Sequence, residues 1–156
     1  MSYFETNEIN DIQMLYKFNS ITHLFESIEQ RKEKDQCDAT AIRNGKTYTI
    51  ELKRRFVPLD KYKTMFIEDY KLAHMMLEYT IHNSIPLYIC FLHDAILIFN
   101  LAKLKKMPQL RILNIESKGY EKMQNNERRY LLDIDDAAIY VNNVCVKRAN
   151  EQWKGN

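Results

Sequence analysis

Apolar positions along the chain fall into runs whose spacing changes several times, and each change of spacing predicts a change of element. From Tyr3 to Phe18, the positions Phe4, Ile9, Ile12, Leu15 and Tyr16 keep the period of an amphipathic helix. Ser2 and Glu5 have the form of a capping box at its start. Asn19-Ser20 would close that helix, and Ile21 to Ser27 would form a first strand. A longer helix reaching Ile28 stays open as the alternative, because Leu24, Phe25 and Ile28 also keep helical spacing. The charged stretch Glu29 to Gln36 reads as a loop.

From Cys37 to Arg55 the pattern shifts to strict alternation on either side of Asn44-Gly45, the pair that a type I′ turn prefers, so a tight β-hairpin is predicted. A two-residue loop fixes the register. With Arg43 paired to Lys46, Asp38 falls opposite Glu51 and Gln36 opposite Lys53, and opposed residues project from one face. That face carries Asp38, Thr40, Ile42, Thr47, Thr49, Glu51 and Lys53; the other carries Cys37, Ala39, Ala41, Tyr48, Ile50 and Leu52.

After Pro58, a helix is predicted from about Tyr62 to His82, with Phe66, Tyr70, Ala73, Leu77 and Ile81 as its apolar stripe. Ile85–Leu92 and Ala95–Leu101 are short apolar runs split by His93-Asp94, which reads as a second hairpin. Leu110–Glu116, Arg129–Ile134 and Ala137–Val141 follow as strands, and the tail from Lys147 reads as frayed. The elements describe an α/β chain with a mixed central sheet flanked by helices and additional C-terminal strands.

Composition narrows the function. At 156 residues, 46% hydrophobic and 28% charged, the chain suits one globular domain over 1–156, with a core over about 3–101 and an extension over 102–156. Glycine occurs only at 45, 119 and 155, so no glycine-rich loop exists to cradle a nucleotide, which excludes kinase-like and NAD-dependent chemistry. No apolar run is long enough to cross a bilayer and the start is acidic, so the expected setting is the cytoplasm, with no membrane partner. Cys37, Cys90 and Cys145 are too few and too scattered for a disulfide framework and read as buried thiols; His74 and His82 make a poor zinc site.

The net charge of +2 hides segregation. Lys53, Arg54, Arg55, Lys61 and Lys63 stand against Asp60 alone, and residues 103–129 carry a second basic excess, while acids gather at Asp133, Asp135 and Asp136. Two basic segments beside an acidic hairpin face would bracket a phosphate backbone, with Arg54 and Arg55 as contacts, and on charge alone lysine-rich solvated loops stay open as the alternative.

Two opposed carboxylates repel by about 0.2–1 kcal/mol and call for a cation. Mg²⁺ or Mn²⁺ answers that call with hard oxygen ligands, and Lys53 lies on the same face as Glu51. At these residues, Asp38 followed by Glu51-Leu52-Lys53, the sequence resembles the PD-(D/E)xK nuclease superfamily, and the closest likeness is to small phage-type nucleases and Holliday-junction resolvases. The resemblance implies a restriction-endonuclease-like α-β-β-β-α-β core. It also implies a Mg²⁺- or Mn²⁺-dependent nuclease acting on nucleic acid, with DNA the expected form, and a homodimer. By the resemblance, Asp38, Glu51 and Lys53 are catalytic, and Asp38, Glu51, the Leu52 backbone carbonyl and Glu8 are metal ligands. Cys37 departs from the pattern by standing where proline is common. The alternative reading is a catalytically inactive module that binds nucleic acid or a protein partner on the same scaffold. Glu68 and Lys71, at helical spacing, read as a surface ion pair.

Overall fold

The computed structural model describes residues 10–116 and 124–149. The capping box expected at Ser2 and Glu5, and the candidate ligand Glu8, lie outside them. A capping box does start the first helix, α1 (Asp11–Thr22), but at Asn10: its side chain accepts from the Gln13 N–H, and the Gln13 side chain accepts from the Asn10 N–H. Asn19-Ser20 does not end this helix, which runs on to a left-handed cap at His23, φ 50°. Asn19 spends its amide on both backbone groups of Phe25, at 2.8 and 3.1 Å, and so stitches the helix to the chain that follows. The first strand, β1 (Ser27–Gln30), therefore begins where the expected strand over Ile21–Ser27 was to end, and Ile21 is exposed.

The hairpin of β2 (Ala39–Arg43) and β3 (Lys46–Arg54) has the expected register, from Arg43 opposite Lys46 to Ala39 opposite Ile50. Asn44 and Gly45 sit at φ 49° and 72°, the positive pair that a type I′ turn requires. The helix expected from Tyr62 is corrected. Its first part is a strand, β4 (Thr64–Glu68), and α2 (Asp69–His82) follows. Met65 and Ile67 are buried while Phe66 between them is not fully so, a period of two that takes Phe66 out of the helical stripe. The rest of that stripe faces solvent. Tyr70, Leu77 and Ile81 are all more than half exposed, and α2 packs through Met75 instead, with Leu72 and Met76 beside it.

The next pair, β5 (Ile85–Phe91) and β6 (Ile96–Asn100), forms the predicted antiparallel hairpin. β7 (Gln109–Glu116), β8 (Gln124–Asp133), a short 3₁₀ turn at Ile134–Asp136 and β9 (Ala137–Val141) follow. One more strand that no predicted element covers, β10 (Val144–Lys147), ends at the first residue of the expected tail and is folded back on β9 by Asn142-Asn143, both at positive φ.

Seven strands form a mixed sheet in the order β1-β2-β3-β5-β6-β9-β10, with β3 and β5 parallel and the other neighbours antiparallel. β4, β8 and β7 form a second, antiparallel sheet. The central strands are buried on both faces. On β5, Leu87, Ile89 and Phe91 join the cluster under α1, while Tyr88 and Cys90 join the one shared with α2 and the second sheet. The element order α1, β1, β2, β3, α2, β5 is the α-β-β-β-α-β core, with β4 interposed before α2. No helix among the described residues is long and apolar enough to cross a membrane.

Candidate active site

Alternation along β3 sends Ile50 and Leu52 toward α1 and sends Glu51, Lys53 and, just past the strand, Arg55 toward β4 and α2. The second set is polar, yet it is partly or wholly covered. Glu51 is 3% exposed, and its carboxylate accepts a hydrogen bond from the Lys71 ammonium. Lys53 Nζ lies 3.8 Å from Glu68 Oε1, where β4 passes into α2. Arg55 Nη2 donates to the Phe66 carbonyl at 3.0 Å and to the Tyr88 hydroxyl at 3.2 Å. Its guanidinium lies 3.6 Å from the Phe66 ring centroid, and Arg129 lies 3.8 Å from the same centroid. Two groups that close cannot share one face of a ring, so Phe66 is held between them.

Three successive side chains of β3 and its extension thus meet three partners from the β4–α2 segment. This corrects the reading of Glu68 and Lys71 as a surface ion pair: Glu68 is buried, and each of the two has an ion-pair partner on β3. The alternation marked the face of β3 but carried no sign of what covers it.

Asp38 reaches the same stretch of β3 from the hairpin's other strand. The ladder ends at Ala39 opposite Ile50, and the Asp38 N–H donates to the Ile50 carbonyl at 3.0 Å, one residue short of the Glu51 it was expected to oppose. The slip is of the kind a β-bulge makes. It leaves the Leu52 N–H to the Asp38 side chain, whose Oδ2 accepts from it at 2.7 Å. The carboxylate is therefore fixed on the peptide that joins Glu51 to Leu52, with Lys53 the next residue. Asp38 and Leu52 also line an open cleft of about 580 Å³ with Asp11, Arg31, Cys37 and Arg54.

Charge in this group is unbalanced. Burial pushes the Glu51 carboxyl up to about 7; the carboxylates of Asp38 and Glu68 push the same way, and Lys71 opposes them. Lys71 itself is raised: burial works against its charge, and the Glu51 carboxylate more than offsets it. A cation is what this cluster asks for, and in its present arrangement lysines supply it. Among the described residues no three His, Cys, Asp or Glu side chains gather at metal-holding spacing.

The two arginines separate. Arg54 lines the cleft but is ion-paired to Asp11 at 2.8 Å, and Arg55 is engaged inward by Phe66 and Tyr88. In the second basic segment, Lys106 is paired with Asp133 and Asp135, Arg128 with Asp69, and Arg129 with Glu127. Deeper on the polar face of β3, Thr49 and Ser84 share a buried 2.6 Å hydrogen bond, and Glu78 ties Thr49 to Arg31 and His74. Cys37 and Cys90 are buried, and burial raises their thiols to about 11 and about 12. Cys145 is exposed, contrary to its reading as a buried thiol.

No family model matches the chain, and no curated protein sequence matches it. Solved structures do. The Holliday junction resolvase Hjc of the archaeal hyperthermophile Archaeoglobus fulgidus is similar over 79% of this chain and 85% of its own, with a TM-score of 0.51 and 12% sequence identity. The shared fold is restriction-endonuclease-like. At that identity the likeness carries the restriction-endonuclease-like architecture and no residue correspondence, so the nuclease fold supplies the frame and the chemistry rests on the side chains themselves.

Proposed function

We propose that this chain is a metal-dependent nuclease that hydrolyses phosphodiester bonds in DNA. The observation that carries the reading is the convergence on one stretch of β3: the Asp38 carboxylate bonded to the Leu52 N–H, with Glu51 before that peptide and Lys53 after it. The nuclease fold and a neighbour described as a Holliday junction resolvase support DNA as the substrate.

The donors present suit a hard divalent ion. Asp38 and Glu51 would hold Mg²⁺ or Mn²⁺, with the Leu52 carbonyl and Glu8 as further candidates, and one or two carboxylates suffice for an ion that keeps much of its water. The raised Glu51 fits too, because a buried carboxyl that titrates near neutrality stays ionised once a cation sits against it. When bound, the ion would make water nucleophilic near neutral pH and neutralise charge on the phosphoryl oxygens. Lys53 carries the rest. Its ammonium, steered by Glu68, would donate to a non-bridging oxygen as charge builds there and orient the attacking water. Lys71 is the spare cation of the site, free to turn from Glu51 to the phosphate when the carboxylate finds another partner.

Purified protein should cut DNA with Mn²⁺ and not with EDTA, and Lys53→Ala should lower turnover by about 100-fold or more while changing DNA binding little. Full cleavage by that variant overturns the role of Lys53, and a parent inert on linear and branched DNA alike overturns the reading. The second reading, a nuclease-like module that binds without cutting, is favoured by one observation: the Lys71 ammonium is seated on Glu51. It is separated by metal-induced stabilisation. A site that takes Mg²⁺ or Mn²⁺ raises the melting temperature as the ion concentration rises, and Asp38→Asn should remove that rise.

A further inference from the structure

Two residues along the chain from Lys53, the loop after β3 and the edge of the second sheet enclose a separate cavity of about 340 Å³, walled by Arg55, Phe56, Tyr62, Met65, Phe66 and Leu131. We propose that this cavity receives one unstacked nucleobase of the DNA strand being cut, so that the protein acts on DNA carrying an unpaired nucleotide beside the scissile phosphate. The proposal rests on the nuclease reading above and names the substrate feature it selects.

The walls are apolar and aromatic, with one cationic plane. Phe56 is 67% exposed and Tyr62 50%, a large apolar area left in water on a loop that is otherwise well braced. The Leu59 N–H donates to Asp94 Oδ1 at 2.8 Å, the His93 N–H donates to the Val57 carbonyl at 3.1 Å, and the Phe56 ring meets the His93 imidazole edge-on. The Phe56 ring is therefore held out by structure, with Tyr62 further along the same loop. Phe66 cannot serve as the platform, because both its faces are covered by Arg55 and Arg129. Those contacts fix the plane of Arg55 as the inner wall, and guanidinium planes and aromatic rings are the surfaces on which unpaired bases stack.

Spacing and charge agree on the occupant. Two residues of extended chain advance about 6.6 Å, within the reach of one nucleotide, so a base turned out next to a phosphate at Lys53 can come level with Arg55. Lys61 Nζ lies 5.4 Å from the Tyr62 ring, so a cation stands beside one of the cavity's aromatic walls, where the backbone of such a nucleotide would pass. An apolar side chain of a protein partner would use the rings but give no reason for the cationic wall or for the lysine beside Tyr62. Because unstacking costs least at a base that is already unpaired, the cavity should favour bulged or branched DNA over a perfect duplex.

The test measures binding in EDTA, where nothing is cut, to a paired duplex and to the same duplex with one unpaired 2-aminopurine. The parent should bind the bulged duplex about 10-fold tighter or more, with a change in 2-aminopurine fluorescence on stacking. Phe56→Ala with Tyr62→Ala should abolish the preference and leave affinity for the paired duplex as it was; Phe56→Ala alone, at the more exposed ring, should remove part of it. Equal binding of the two duplexes by the parent, or a preference retained in the double variant at the parental melting temperature, overturns the proposal. Cleavage with Mn²⁺ is scored separately. A parent that prefers the bulge and cuts nothing sustains the cavity and overturns the nuclease reading, while one that cuts without preference does the reverse.

Discussion

The two faces of β3 are buried to a similar degree and held by different forces. Toward α1, Ile50 and Leu52 join Leu15, Phe18 and Phe25 in a cluster with no charged member. Toward β4 and α2, Thr49 and Glu51 are as deeply buried, yet Glu51 is held by an ion pair and Thr49 by hydrogen bonds. Apolar burial stabilises in proportion to area and tolerates small shifts, at about 25 cal/mol per Å². A buried charge stabilises only while its partner stands in one position, and a well-packed apolar replacement often does as well or better. The α1 face is therefore where β3 gains its apolar stabilisation. The opposite face spends some of it to keep the carboxylates of Glu51 and Glu68 buried beside the partly covered Lys53 and Lys71, an arrangement that packing alone does not call for.

The largest effect should come from the apolar side. Phe18 is fully buried, with its ring edge-on to Tyr140 at 5.0 Å. Phe18→Ala should cost about 4 kcal/mol, as lost transfer energy plus a cavity under the sheet. Since that cluster holds no acid, base or thiol, and burial raises the neighbouring Tyr140 hydroxyl above its ordinary value, urea unfolding at pH 5.5 and pH 8.5 should return the same deficit. A deficit that changes with pH would mean the two faces are coupled.

On the polar side the deficit should depend on pH. The Glu51 carboxyl is raised to about 7 in the folded chain, above its ordinary unfolded value, so its penalty is absent at low pH and grows as pH rises from about 4.5 through 7. Lys71 opposes that rise. Lys71→Met removes the opposition and leaves a buried carboxylate with no ammonium, which should cost about 3 kcal/mol at pH 8.5, the low end for breaking a buried pair because Lys71 keeps some exposure. At pH 5.5, Glu51 carries a proton in the folded variant and most of the deficit should vanish. Unfolding curves with an equal or larger deficit at pH 5.5 would show that Lys71 matters by packing and not by charge.

The same contrast explains how much could be read in the sequence. The hairpin was legible because its information is local: Asn44-Gly45 fixes the turn, and alternation then sorts Ile50 and Leu52 from Glu51 and Lys53. The order of the nuclease core was legible for the same reason. β4 was not, since Phe66 stands at helical spacing from Tyr70 and the partner that makes it a strand, β8, lies about sixty residues downstream. Glu68 and Lys71 were misread because a local explanation, an ion pair on one helix, satisfied their spacing, whereas their partners on β3 are visible only once α2 has packed. The one-residue slip at Asp38 is equally a tertiary fact, for a perfect ladder and a bulged one have the same alternation. β10 is a different case. Asn142-Asn143 ahead of Val144 is a turn signal of the same kind as Asn44-Gly45, and it lies between the last predicted strand, Ala137–Val141, and the expected tail from Lys147, where no element is predicted.

The smallest effect should divide the polar face itself. Thr49 and Ser84 share a hydrogen bond at the end of the face away from Asp38, with no charge in the pair, although Glu78 also accepts from Thr49 at 3.3 Å. Thr49→Val keeps the shape of the side chain and leaves the Ser84 hydroxyl buried without its partner, which should cost about 1 kcal/mol. Ser84→Ala added to it removes the stranded group, so the double variant should recover most of that loss, because deleting both partners of a neutral hydrogen bond is nearly free while deleting one is not. Cleavage should be untouched in both, since neither residue reaches Lys53 or Asp38. If the double variant is as unstable as the sum of its parts, the hydrogen bond contributes little and packing sets both losses. If instead cleavage falls with the hydrogen bond, the site extends along the whole polar face of β3, and the boundary between structure and chemistry lies nearer the base of α2.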